Sequence, residues 1–274
     1  MAPSEKVTTT KLLQLKQKGE KIAAVTCYDW TFARIVEEAK ADVVLVGDSL
    51  GMVMLGYENT LPVTVDEVLH HTKAVKRALT RPLLVADMPY LSYEVDAKEA
   101  VRNAGRLVKE GGAEAVKVEG GIEVAPVIKE LVKTNIPVMG HLGLTPQAIH
   151  RLGGYKVQGR LPKDAEKMLT DAKVLEGAGV FAIVLEAVPS ELAREITRKV
   201  SVPTIGIGAG PHTDGQILVL HDLLGLYGDS SPRFVKRYAE LRKESLKALQ
   251  AYCREVRETS FPRAEHEYVP AGPK

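Results

Sequence analysis

Four acidic residues in this chain each close a short apolar run: Asp48 ends VVLVGD, Asp87 ends LLVAD, Glu119 ends AVKVE and Glu186 ends AIVLE. Carboxylates crowded into one partly dehydrated pocket repel one another, and a divalent cation resolves that conflict. An all-oxygen ligand set points to Mg²⁺ or Mn²⁺ over Zn²⁺, and Mg²⁺ leaves positions open for water and substrate. Taken singly, each acid reads more readily as a helix N-cap or a salt-bridged loop residue than as part of a site. Their equivalent placement is what argues for a site.

Other side chains around these acids carry two readings. Lys117 lies two residues before Glu119, so both point to one face of a strand; it serves a substrate carboxylate or keto oxygen, or pairs with a structural acid. Ser49, beside Asp48, offers amide and hydroxyl donors suited to a carboxylate, or caps a helix. His141, in GHLGLTP, is a further pocket candidate or a satisfied core polar group. The run GIGAG (206–210) is a weak phosphate signal without GxGxxG spacing, and otherwise makes room for a flat ligand or a neighbouring helix. GGYKVQG (153–159) has the composition of a lid or of an ordinary turn. Cys27 and Tyr28 follow the first apolar run, and no Cys/His pairing supports a nucleophilic thiol. His70 and His71 read as surface or packing residues.

The elements that must position the acids are legible as a repeat. Eight short, nearly continuous apolar runs are expected as strands: Ile22–Thr26, Val43–Gly47, Leu83–Asp87, Ala115–Val118, Pro137–Gly140, Phe181–Glu186, Thr204–Gly208 and Ile217–Leu220. Runs without polar alternation signify parallel strands covered on both faces. Helical stretches separate them, among them Trp30–Lys40, Val65–Leu79, Lys98–Glu110, Ile122–Lys133, Lys163–Glu176 and Glu191–Lys199. EEAKADVVLVGDS, KEGGAEAVKVEG and LEGAGVFAIVLEA repeat one grammar of helix end, small-residue turn, apolar strand and terminal acid. The fold class is therefore α/β, a single (βα)₈ barrel domain over 1–274 with the barrel proper at about 20–259. A helix over Thr10–Lys18 is expected to cap the floor, Arg233–Thr259 to hold the last helix with an extension, and the tail from 260 to be frayed or partner-bound. In such a barrel the strand C-termini converge, and the four acids with them.

Composition removes several alternatives. The chain has 274 residues, a formal net charge of +2 and no basic run interleaved with aromatics, so nucleic acid is not an expected partner. Two cysteines cannot build a disulfide framework, and no CxxC pair marks a zinc site. The first residues lack the apolar core of a secretory signal, and no run approaches a membrane span. A cytoplasmic protein is expected.

The motifs VTCYDWTFARIVEEA, VGDSLGMVMLGYENTLPVT, ADMPY, VKVEGG, VMGHLGLTPQ, LEAVP and GIGAGPHTDGQILVLHDLLG stand here in an order that resembles the ketopantoate hydroxymethyltransferase family. The resemblance runs from the opening helix to about Thr259. It implies a barrel of the phosphoenolpyruvate/pyruvate type and the first step of pantothenate, hence coenzyme A, biosynthesis. The implied reaction moves a hydroxymethyl group from 5,10-methylenetetrahydrofolate to 3-methyl-2-oxobutanoate, giving 2-dehydropantoate and tetrahydrofolate through a Mg²⁺-stabilised enolate. By motif position, Asp48, Asp87 and Glu119 resemble the magnesium ligands, one ion per subunit. Asp48, Ser49, Asp87 and Lys117 resemble the keto-acid contacts, and Glu186 the catalytic base. The family also implies a homodecamer of two pentameric rings. Two other readings stand beside it. A lyase or mutase of the isocitrate lyase or phosphoenolpyruvate mutase type would want a cysteine placed as general acid, and a non-catalytic binding barrel would not need all four acids.

Overall fold

In the computed structural model, residues 5–228 and 232–268 are described. Strands β1 (Ile22–Thr26), β2 (Val43–Val46), β3 (Leu83–Asp87), β4 (Ala115–Glu119), β5 (Val138–Gly143), β6 (Ala182–Glu186), β7 (Thr204–Ile207) and β8 (Gly215–Leu218) close in chain order into one barrel. Every pairing is parallel, including that of β8 with β1. Helix α1 (Thr9–Lys18) precedes the barrel, and α2 (Trp30–Glu38) follows β1. After β2 come α3 (Leu50–Val53) and α4 (Val65–Lys76), and after β3 comes α5 (Ala97–Lys109). The β4 connection holds α6 (Ala125–Lys133), the β5 connection α7 (Ile149–Leu152) and α8 (Pro162–Ala178), and the β6 connection α9 (Ser190–Lys199). Helices α10 (Leu220–Leu223) and α11 (Leu241–Arg257) follow β8.

Two compact units divide the chain, Met1–Leu220 and His221–Lys274. All eight strands belong to the first. In the second, the stretch 233–259, expected to hold the last helix with an extension, is helical over Leu241–Arg257. Amides at and before the helix start go to distant carbonyls, Tyr238 to Leu223 and Leu241 to Leu224. The tail forms a 3₁₀ turn at Ala264–His266, with the His266 ring 5.1 Å from that of Phe261; its last stretch, 269–274, lies outside the described residues.

Local chemistry sets the helix ends. Asp29, Thr64 and Asp96 cap α2, α4 and α5 by accepting a backbone N–H three residues on, and Thr64 with Glu67 completes a reciprocal capping box. Helix α1 stops at Gly19, whose φ of 71° lets its N–H close on Leu15 and Lys16 carbonyls.

Inside the barrel, residues alternate inward. Ile22, Val43, Leu83 and Ala115, at or near the strand starts, pack with Leu12 and Leu15 of α1 into one apolar cluster, so α1 does plug the floor. Burying each such leucine gains about 1.5–3 kcal/mol. Lys16 pins the plug by donating to the Thr197 and Val202 carbonyls at 3.0 Å and to Asp214 at 2.8 Å.

Candidate active site

The same inward alternation that builds the floor delivers charge to the other end. Along β4, Ala115, Lys117 and Glu119 share one face; along β3, Leu83, Val85 and Asp87 do. Parallel register sets Asp87 beside Lys117 and Glu119 beside His141. Asp48 lies just beyond β2, where its backbone N–H donates to Asp87 Oδ2 at 3.0 Å. The missing side chain at Gly47 leaves room for Ser49, whose Oγ would sit 3.0 Å from a Cβ there.

Asp48, Asp87 and Glu119 are all buried, with a carboxylate oxygen from each within 4.8 Å of the others. Lys117 enters this cluster from below. Its Nζ lies 2.8 Å from Asp87 Oδ1 and 3.1 Å from Glu119 Oε1. His141 bridges the cluster to the fourth acid, with Nδ1 3.2 Å from Glu119 Oε1 and Nε2 3.3 Å from Glu186 Oε2. Glu186 keeps more solvent access than the other three, its side chain 16% exposed. None of the four acids caps a helix, since the caps of α3, α5, α6 and α9 are Ser49, Asp96, Val124 and Pro189.

Electrostatics separate the acids. Burial, then the charges of Asp87 and Glu119, push the Asp48 carboxyl well above the usual carboxylate range. Burial also raises Asp87, against the opposing pull of Lys117. Glu119 is buried too, yet Lys117 and His141 outweigh that penalty and hold it below the usual range. Burial works against charge on Lys117 and His141, but the surrounding carboxylates prevail, raising the ammonium and lifting His141 to about 9. Lys117 and His141 together are thus too little positive charge for these carboxylates, and Asp48 bears the excess. The donor set fits a hard divalent cation: three carboxylate oxygens converge, with no thiolate among them.

Other expectations resolve individually. Ser49 makes no side-chain capping bond; its Oγ instead meets the Tyr28 hydroxyl at 2.8 Å, at the edge of the acid cluster. His71 is a packing residue, its Nδ1 2.6 Å from the Tyr28 carbonyl, and His70 is exposed. Burial pushes the Cys27 thiol up to about 12, so it carries no thiolate. The GIGAG run serves packing: a Cβ at Gly206 would meet Thr213 Oγ1 at 2.6 Å, and Gly210 presses on Ser190 at the start of α9. The segment 153–159 is tied beside Glu186, where Gln158 N donates to the Ala187 carbonyl at 2.9 Å. Ala187 itself holds φ at 47°, a left-handed conformation costly for a residue with a side chain, directly after Glu186.

Two site residues escaped the sequence reading. Gln147, in the turn Pro146–Ala148, donates from Nε2 to Asp48 Oδ2 at 2.9 Å and from its backbone to Glu119 Oε2 at 3.2 Å. Tyr93 is buried beside it. Both line a cavity of about 380 Å³ that opens next to Glu119, with Tyr90, Glu123 and Arg151 on its walls. Neither falls at a strand end, and their only signal is that VMGHLGLTPQ includes the glutamine.

The fold is a closed parallel barrel that gathers acidic side chains at its strand ends. By fold the chain resembles 2,3-dimethylmalate lyase, a member of the PEP mutase/isocitrate lyase superfamily, with a TM-score of 0.59 over 96% of this chain and 91% of that one, at 14% identity. Residues 6–264 match the family described as ketopantoate hydroxymethyltransferase. The 3-methyl-2-oxobutanoate hydroxymethyltransferase of Thermoanaerobacter sp. (strain X514) is 54% identical, the alignment covering 97% of each chain. That of Moorella thermoacetica (strain ATCC 39073 / JCM 9320) is 55% identical over 98% of this chain and 100% of its own. The chain belongs to the ketopantoate hydroxymethyltransferase family and is a transferase. No helix among the described residues is long and apolar enough to cross a membrane.

Proposed function

We propose that this chain moves a hydroxymethyl group from 5,10-methylenetetrahydrofolate onto 3-methyl-2-oxobutanoate, giving 2-dehydropantoate and tetrahydrofolate, the first step towards pantothenate. Family membership supports the keto acid and its product, and the motif resemblance supports the folate donor. The single structural observation that carries the reading is the cluster of three buried carboxylates, joined through His141 to a fourth, more accessible acid.

In this reading Asp48, Asp87 and Glu119 hold one Mg²⁺ per subunit. When bound, that ion supplies a Lewis acid at the keto-acid oxygens. Asp48, Ser49, Asp87 and Lys117 contact the keto acid, with the Lys117 ammonium offering a donor to its oxygens from the cluster's base. Glu186 takes the proton from the tertiary carbon beside the ketone, and the resulting enolate carbon bonds to the methylene carbon of the folate. Both carbon–nitrogen bonds of the methylene bridge break, water supplies the hydroxyl oxygen, and the protonated nitrogens leave as tetrahydrofolate. The position of Glu186 suits proton removal, because it stands at the strand-end mouth and outside the cation cluster. The His141 imidazolium holds the Glu186 carboxylate from one side, leaving its other oxygen for the substrate proton. The enzyme is read as cytoplasmic and as a homodecamer of two pentameric rings, an assembly that light scattering would measure.

Purified protein supplied with both substrates tests this directly. Formation of 2-dehydropantoate should require the folate, stop with EDTA and return with Mg²⁺. Product formed equally well in EDTA would remove the cation from the account, and no product under any of these conditions would remove the reaction.

A further inference from the structure

Gln147 touches three separate barrel connections at once. It is buried, in the turn after β5. Its Nε2 donates to Asp48 Oδ2 at 2.9 Å, beyond β2, and to the Met88 carbonyl at 3.0 Å, beyond β3. Those two bonds use both amide protons. Its Oε1 accepts from the Tyr93 hydroxyl at 2.7 Å, and its backbone N–H donates to Glu119 Oε2 at 3.2 Å, at the end of β4. The amide's orientation is dictated, because the Met88 carbonyl can only accept and Nε2 must therefore face it. Tyr93 braces the arrangement from behind: its hydroxyl also lies 3.1 Å from the Glu119 carbonyl and 3.3 Å from the Glu119 amide nitrogen.

We infer that Gln147, held by Tyr93, is a positioning residue for the cation site. It occupies one oxygen of Asp48 and one of Glu119, and so fixes both carboxylate planes in the orientation that brings them within reach of Asp87. The chemistry explains the residue type. Carboxylates in a crowded anionic pocket turn away from one another unless donors from outside the cluster hold them. A lysine here would neutralise the charge the cation needs, and a glutamate would add to the repulsion. A neutral amide supplies two donors and changes no charge. The inference rests on the reading of Asp48, Asp87 and Glu119 as cation ligands.

The test is Mn²⁺ titration of metal-free protein, followed by electron paramagnetic resonance, for wild type, Gln147→Met, Tyr93→Phe and the double variant. Outer partners of metal ligands typically contribute 10- to 100-fold in affinity, so Gln147→Met should weaken Mn²⁺ binding by roughly that factor. Tyr93→Phe should weaken it less, and the double variant no more than Gln147→Met, because the two act as one unit. Raised Mg²⁺ should restore much of the turnover of both single variants, a rescue that general loss of structure would not show. A Gln147→Met protein with wild-type circular dichroism and wild-type Mn²⁺ affinity would overturn the inference, as would fully additive effects. Should Gln147→Met not fold, Tyr93→Phe decides alone, and unchanged affinity there overturns it. A wild type that binds no Mn²⁺ defeats the cation reading itself; a wild type that binds, with variants that bind equally, defeats only the role of Gln147.

Discussion

Along β3 the inward side chains run Leu83, Val85, Asp87, and along β4 they run Ala115, Lys117, Glu119. At the lower end these strands meet Leu12 and Leu15 in an apolar cluster; at the upper end they meet Asp48 and His141 among buried charges. One set of strands thus builds two environments a few residues apart. The lower one gains free energy by removing apolar surface from water. The upper one costs free energy, since charge is buried and only partly compensated. Stability is concentrated at the floor so that the mouth can hold an arrangement that is unfavourable on its own.

That division can be broken or sharpened by substitutions at each end, beginning with the largest effect. Glu186→Gln removes the base and leaves the cluster of three intact. It should lower kcat by about 10²–10⁴-fold, the usual contribution of a positioned general base, with a melting temperature close to wild type. A matching loss of melting temperature would show that Glu186 belongs to the stabilising half. Next, Leu12→Ala opens a cavity in the floor and should cost about 2–5 kcal/mol in denaturant unfolding, with kcat unchanged where the protein is folded. A large drop in kcat for that variant would mean the two ends are coupled.

Lys117→Met crosses the division, because Lys117 is the cation that Asp87 and Glu119 pair with inside the mouth. Breaking a buried pair from one side costs about 3–5 kcal/mol. The loss should be greatest in EDTA and smaller with Mg²⁺, and equal losses in both conditions would detach Lys117 from the cation site. The smallest effect lies at the floor rim. Glu176 there accepts from Ser201 and pairs with Lys173 at 2.8 Å; slight burial opposes its charge, but Lys173 and Ser201 outweigh it and hold the carboxyl near 2. A depressed carboxyl contributes stability above its unfolded value of 4.5 and loses it as pH falls towards 2. Glu176→Gln should therefore cost under about 1 kcal/mol at neutral pH, a difference that closes as pH falls from 4.5 to 2. A difference constant over that range would assign the effect to packing.

The barrel and its acids were readable because a parallel strand buried on both faces leaves an uninterrupted apolar run, and an acid closing such a run stands out. Where the reading slipped, a contact from elsewhere in the fold decides. β8 begins at Gly215, which carries no strand signal. A side chain there would collide with Ile22 of β1, a constraint visible only once the barrel closes. β4 and β5 extend to Glu119 and Gly143 because each strand's end pairs with its neighbour, Glu119 with His141 and Gly143 with Glu186. Within 233–259, the point at which the helix starts is set by backbone bonds to residues 223 and 224, which no local pattern encodes. In the site, charged residues at strand ends announced themselves, while Gln147 and Tyr93 did not. A neutral side chain in a turn is defined by its partners, and those lie 54 and 99 residues away in the chain.

In the proposed reaction Glu186 removes a proton from a keto acid held over the carboxylate cluster. Deuterium exchange at the tertiary carbon of 3-methyl-2-oxobutanoate, followed by proton NMR in heavy water without folate, reads that step alone. Wild-type protein with Mg²⁺ should exchange the proton, and both EDTA treatment and Glu186→Gln should stop it while the variant still binds the keto acid. Exchange at the wild-type rate in Glu186→Gln would contradict the account.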